Sequence, residues 1–290
     1  MDKLTLQQMR QGVFWEKLWE LSDPTRKKRI EYREKTIRTW NKRAQVFARN
    51  TDNENNKRRR KAVFKFLRDC GVDLAGATIL DIGAGPGNYA IPMAREAKEV
   101  VVLDPAVAML EIIQKRAKKE GLTNISYSSE PWEEVDLDRL GWRKKFDLVF
   151  ASVSPGVRDV TTLKRMMEAS RKYCYISKFA GPRSNNIQDK IWQRLFEEPR
   201  INDSMEIYLP WNLLYAWGYY PDTKFIPSSW SNIEPIEQVE QRMVNWFCNF
   251  EGVPDNFRQV VRQVLEEEAV DGLVKEEVRT TFGLMVWQVQ

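Results

Sequence analysis

The chain has 290 residues, 42% hydrophobic and 30% charged, with a net charge of +5, enough for one large α/β domain with appendages and ordinary for a globular protein. It contains no histidine, which excludes Ser-His-Asp and Cys-His nucleophile systems and any His-ligated metal site. Three scattered cysteines, no apolar run near the roughly 18 residues of a membrane span, and a charged N-terminus without an apolar core argue against a disulfide framework, a zinc knuckle, a membrane anchor and a signal peptide. The expected location is the cytoplasm.

Charge is distributed unevenly. Residues 1–62 hold 18 Lys and Arg against 8 Asp and Glu, a net of +10, and the remaining residues hold 28 against 33, a net of −5. The basic segment reads as helices. Apolar residues from Leu6 through Met9, Val13, Phe14 and Leu18 to Leu21 recur every three or four positions. Ser22-Asp23-Pro24 ends that pattern and starts another, whose stripe is Ile30, Ile37, Trp40, Ala44 and Phe47. After a break at Asn50–Asn53, with Thr51 and Glu54 as a candidate capping box, a third helix carries Val63, Phe66 and Leu67 inward and ends near Gly71.

From there strands and helices alternate. Strands are expected at Thr78–Ile82, Glu99–Leu103, Ile125–Ser128, Phe146–Ala151 and Tyr173–Phe179. Helices fill the intervals to about Ala97, over Ala106–Lys119 and near Thr161–Ser170. Strands around Ile79, Val100 and Val149 are apolar on both faces, as in a parallel sheet covered by helices, and the fold class is therefore a doubly wound α/β sheet. Beyond Gly181-Pro182 the pattern predicts a helix near Ile187–Glu198, an aromatic-rich stretch at 208–221, a strand at Thr223–Ile226, helices near Ile236–Cys248 and Asp255–Glu268, and a closing strand at Thr280–Val289.

The first strand ends in ILDIGAGPGNYA, with Asp81 followed by Gly83, Gly85 and Gly87. A glycine turn between strand and helix aims backbone N–H groups and a helix dipole at one spot and lets a ligand touch the main chain. No Gly-Lys-Ser/Thr follows, so this is not a P-loop. The dinucleotide spacing G-x-G-x-x-G fails because Asn88 holds its last position. A carboxylate at Asp81 repels a phosphate and suits an ammonium. The expected ligand is an adenosine compound without phosphate and with a cationic amino-acid end, which describes S-adenosylmethionine. Asp104, ending the second strand in VVVLDPA, is placed to accept from ribose hydroxyls. Glu130 and Trp132 after the third strand are candidates for the adenine, and Ala151 to Pro155, with Ser152 and Ser154, line the far side at the end of the fourth.

With these motifs in order, the stretch from about Trp40 to Gly181 resembles the class I S-adenosylmethionine-dependent methyltransferases. ILDIGAGPG matches that family's first motif, VVVLDPA its second, and FDLVFAS the strand before its catalytic loop. The resemblance implies a Rossmann-like, mostly parallel seven-stranded sheet whose last strand, Thr280–Val289, is antiparallel. It places Gly83, Gly85 and Gly87 against the methionine part, Asp104 on the ribose, and Glu130 or Trp132 on the adenine. Glu130 departs from the family's commoner Asp. WNKRAQVF resembles the family's N-terminal lid helix, making Tyr32, Trp40, Arg43 and Phe47 lid candidates.

Methyl transfer from a sulfonium demands alignment more than proton transfer, and a chain without histidine can supply it. The loop SVSPGVRD is not the Asp/Asn-Pro-Pro-aromatic motif of enzymes that methylate exocyclic amines. Asp159 reads as a helix N-cap, and no catalytic base is assigned. The expected organisation is a helical lid over 1–62 and a methyltransferase domain over 63–290, including a cap at 183–275. Tyr208, Trp211 and Tyr215 in the cap line a wall for a small-molecule acceptor enclosed between lid and cap. One alternative is an RNA or protein methyltransferase in which the basic arm, with KKR at 27–29 and KRRRK at 57–61, tracks phosphates. Another is a non-catalytic adenosine-nucleotide binder.

Overall fold

The computed structural model describes residues 7–22, 29–51, 53–200, 203–204, 206–248 and 252–289. Among them, helices α1 (Gly12–Ser22), α2 (Arg29–Asn50) and α3 (Glu54–Asp69) precede the sheet. Strands β1 (Thr78–Ile82), β2 (Glu99–Leu103), β3 (Ile125–Ser128) and β4 (Phe146–Ser152) alternate with α4 (Ala90–Ala94), α5 (Val107–Glu120) and α6 (Val160–Ala169). A long β5 (Ser170–Asn185) leads to α7 (Asn186–Phe196), a short β6 (Asp203–Ser204), α8 (Tyr208–Ala216) and β7 (Asp222–Pro235). Helices α9 (Ile236–Phe247) and α10 (Phe257–Glu268), a short β8 (Ala269–Val270) and β9 (Leu273–Gln288) complete the chain.

The sheet runs in the order β3-β2-β1-β4-β5-β9-β7, and β1 to β5 are parallel neighbours. Val289 N, just past β9, donates to Lys172 O near the start of β5 at 2.8 Å, so the last strand runs antiparallel. Ile79, Leu80, Val100, Val102, Val149 and Phe150 are wholly buried. Alternate residues of a strand face opposite sides, so burial of both sets means that helices cover both faces. The fold expected from the alternating pattern is the fold observed.

The chain divides into two compact units. The first holds residues 1–178, 206–225 and 283–290, so the basic segment belongs with the sheet. The second holds residues 179–205 and 226–282. Its core is Ile187, Ile191, Val239, Met243, Phe247, Val261 and Leu265, from α7, α9 and α10. Within it Glu276 is buried, accepts from Asn185 Nδ2 at 3.1 Å and is ion-paired with Arg242.

Three local expectations are corrected. The cap of α3 is Asn53, whose side chain accepts from Asn56 N, whereas Thr51 turns back and donates to Phe47 O and Ala48 O. Helix α4 is only Ala90–Ala94, well short of the extent expected. Strands β5, β7 and β9 run far beyond Phe179, Ile226 and the expected Thr280 start. The Asp23-Pro24 helix start lies outside the described residues.

Candidate active site at the carboxyl edge of the sheet

The strands β1 and β2 end side by side, with Asp81 paired to Val102 and Ile82 to Leu103. The chain then turns through Gly83, Gly85 and Gly87, at φ of 71°, 54° and 83°. Gly83 N donates to Leu103 O at 2.7 Å, which pins the loop to the end of β2. A Cβ on Gly83 would lie 2.1 Å from Ser154 Oγ, so the loop after β4 rests directly on the bare backbone of the first loop. Gly87 has a different task. A Cβ there would meet Ile113 Cγ1 at 3.0 Å, so this glycine allows α5 to pack beneath the loop.

Asp104 organises the same corner. Its Oδ2 accepts from Gly85 N at 2.8 Å and its Oδ1 from Ala106 N at 2.9 Å. Burial raises its pKa and these two N–H donors pull it back. Each oxygen keeps a second lone pair for a ligand hydroxyl. Asp81 is treated differently. It is 2% exposed, and its Oδ2 has no hydrogen-bond partner. Burial, with Asp104 nearby, pushes its pKa up to about 8. A buried carboxylate without a donor is costly, and an ammonium delivered by a ligand removes that cost.

The loop after β4 is held in an unusual conformation. Val153 has φ of 51°, a left-handed value that a β-branched residue avoids. Its N donates to Ser177 O at 2.9 Å. The buried Lys178 donates to Ser154 O at 3.1 Å, and Ser154 Oγ accepts from Gly156 N at 3.1 Å. Burial lowers the Lys178 pKa, with Glu206 opposing. Ser152 Oγ and Ser177 Oγ are 3.0 Å apart, and Ala151 is buried in β4 beside Ile176. Asp159 forms a reciprocal capping box with Thr162 and so starts α6.

Helix α2 lies across this edge. Arg33 pairs with Glu134 at 2.5 Å, beyond β3. Asn41 Oδ1 accepts from Ala108 N at 3.0 Å in the first turn of α5. Ala44 and Ala48 pack on Ala106, Met109 and Ile112, and a Cβ on Gly85 would be 3.8 Å from Phe47. Trp40 packs edge-on to Phe47, with Arg43 over the Trp40 ring at 5.8 Å. The side chain of Tyr32 lies outside the described residues.

The structure therefore brings Asp81, Gly83, Gly85, Asp104 and Ser154 together, with Ala151, Ser152, Trp40 and Arg43 around them. The remaining candidates sit differently. Glu130 is held by Arg139 Nη2 at 2.7 Å through both oxygens. Trp132 is 1% exposed and its indole N–H donates to Thr162 O at 3.1 Å, so its ring is core packing. Trp211 donates to Thr223 Oγ1 and stacks on Tyr215 at 5.5 Å, while Tyr208 packs edge-on to Trp15 of α1. Sequence reasoning missed Lys178, which carries no motif, and it did not single out Val153 or Asn41 within the stretches SVSPGVRD and WNKRAQVF.

Comparison with known proteins bears on this corner directly. A family model described as a methyltransferase domain matches residues 79–173, from β1 into β5. Over residues 79–173 the chain is thus similar to a methyltransferase domain. The match holds the glycine loop, Asp104 and the loop after β4. A ubiquinone biosynthesis O-methyltransferase of Acinetobacter baylyi is 36% identical over 76 residues, 26% of this chain and 31% of that protein. A 23S rRNA uracil-C5-methyltransferase of Aeromonas hydrophila is 30% identical over 102 residues, 34% of this chain and 22% of that protein. The chain thus spans less than a third of the length of either of these two relatives. Among solved structures, a SAM-dependent methyltransferase of Aquifex aeolicus shares 13% identity, covering 78% of this chain and 89% of that one, with a TM-score of 0.44.

Proposed function

We propose that this chain transfers a methyl group from S-adenosylmethionine to a small-molecule acceptor. The observation that carries the donor is the pairing of a bare glycine loop with Asp81, whose buried Oδ2 lacks a donor. A pyrophosphate brings negative charge to that carboxylate, whereas an amino-acid end brings an ammonium. The backbone around Gly83 and Gly85 receives the ligand, and Asp104 adds acceptors for ribose hydroxyls. When bound, the donor supplies an activated methyl and its own leaving group. Ser154 and the strained Val153, pinned by Lys178, form the wall from which an acceptor meets that methyl. Helix α2, tied down by Arg33, Asn41 and Phe47, shields the edge from water and supports a compact acceptor.

The test of the donor is calorimetry with S-adenosylhomocysteine, NAD and ATP. Binding of the first and neglect of the other two is expected, and the reverse overturns the reading. The acceptor class is tested by S-adenosylhomocysteine release with small metabolites and with RNA. Exposed cations on α3, among them Arg58, Lys61 and Arg68, favour RNA as the second reading. That reading requires RNA affinity that falls steeply with salt.

A further inference from the structure

Asp81 is one of several buried polar groups near this corner without a partner. The hydroxyls of Tyr89 and Tyr175 also make no hydrogen bond, although Tyr89 is 9% exposed and Tyr175 is fully buried. Buried hydroxyls in folded proteins are nearly always satisfied, so two orphans in one place need an explanation. The Ser177 hydroxyl acts on the Tyr175 phenol without reaching hydrogen-bond geometry, and its Oγ lies 3.0 Å from Ser152 Oγ.

The strand register shows that these groups belong together. Asp81 pairs with Phe150 across β1 and β4, and Phe150 with Tyr175 across β4 and β5. Residues paired in this way project from the same face of the sheet. The Phe150 ring stacks on Tyr175 at 4.4 Å, and Tyr89, just past the glycine loop, packs on Phe150 at 5.0 Å. Burial, with Tyr89 nearby, pushes the Tyr175 phenol well above its usual range against Ser177 and the Arg59 guanidinium of α3, so Tyr175 stays a neutral donor. One face of the sheet therefore offers a lone carboxylate on β1 and, two strands away, the Tyr175 phenol, with Tyr89 packed against the intervening Phe150. Two strand spacings are roughly 9–10 Å. An α-amino-acid head group flanked by two hydrogen bonds of about 2.8 Å has that span.

We propose that Tyr89 and Tyr175 donate their hydroxyls to the α-carboxylate of the methyl donor's amino-acid end, while Asp81 receives its ammonium. The inference rests on the donor reading above and adds a second anchor to it. Both tyrosines are binding residues, and no bond is made or broken at them.

The experiment compares wild type, Tyr89→Phe and Tyr175→Phe by calorimetry with two probes. S-adenosylhomocysteine has the amino-acid end, and 5′-methylthioadenosine has the same nucleoside without it. Each substitution is expected to weaken S-adenosylhomocysteine about tenfold, the scale of a hydrogen bond to a charged group, and to leave methylthioadenosine unchanged. Removing an unpaired buried hydroxyl relieves a cost, so the melting temperature of the ligand-free protein is expected to hold or rise. Unchanged S-adenosylhomocysteine affinity in both variants overturns the proposal, as does an equal loss for both probes, which indicates shape rather than a carboxylate contact. A lower ligand-free melting temperature with unchanged affinity shows that the hydroxyls served internal water, and also overturns it. Failure of wild type to bind either probe is a different result, because it removes the donor reading itself.

Discussion

Two buried aspartates stand near opposite ends of β1 and are treated in opposite ways. Asp147, at the start of β4, accepts from Thr78 N at 3.0 Å and from Arg171 through both oxygens, with Lys172 at 3.3 Å. Those partners, Arg171 first, hold its carboxyl well below the usual range. Asp81, near the other end, has an oxygen with no partner, and burial drives its pKa up to about 8. The same residue type in the same sheet is a finished joint in one place and an open valence in the other. The contrast separates an acid that holds the fold from one that, in the function proposed, receives a ligand's ammonium.

Several substitutions would break or sharpen that contrast. The largest effect is expected from Gly83→Ala, because its Cβ would fall 2.1 Å from Ser154 Oγ at a φ of 71°. A stability loss of about 2–4 kcal/mol from overpacking and backbone strain, together with loss of S-adenosylhomocysteine binding, would appear in thermal melts and calorimetry. Asp81→Asn comes next. It should weaken S-adenosylhomocysteine about 10- to 100-fold, the scale of a hydrogen bond between charged partners, while the ligand-free protein melts no lower at pH 8. Unchanged affinity would make Asp81 another structural acid.

Asp147→Asn should do the converse. A loss of about 1–2 kcal/mol in urea unfolding is expected with ligand affinity unaltered, because Arg171 and Lys172 are half-exposed and solvent screens them. A further test is in pH. The raised pKa of Asp81 means that its contribution to ligand-free stability is fully present below the ordinary carboxylate range and is lost as pH rises through about 8. Asp147 has a lowered pKa, so its contribution is present above that range and is lost only in acid. Melting temperatures recorded from pH 5 to 8.5 should decline more in wild type than in Asp81→Asn. A steeper decline in the variant would show that another group controls the slope.

Much of this was legible in the sequence for a physical reason. The strands β1, β2 and β4 are apolar on both faces, and Asp81, Gly83, Gly85 and Asp104 lie at their ends, so element and site announce each other. Asp159 followed by Thr162 likewise reads as a cap because that motif is local. The extension of β5 through Gly181-Pro182 was not legible, since glycine and proline ordinarily mark a turn and the strand is sustained by partners distant in sequence. The same holds for Lys178 and Tyr175. In YCYISKF they look like ordinary strand residues, and only the register with β4 shows what they face. Trp132 and Glu130 stand at the expected strand end, but whether a side chain turns into the core or to Arg139 is decided by neighbours that spacing does not encode.

The seating of Ser154 on Gly83 has a consequence for descent. A side chain at 83 strikes the serine, and a bulkier residue at 154 strikes the main chain at 83. Neither position is free to drift alone, so lineages that preserve this corner are expected to inherit the glycine and a small residue opposite it as a unit, or to exchange both together.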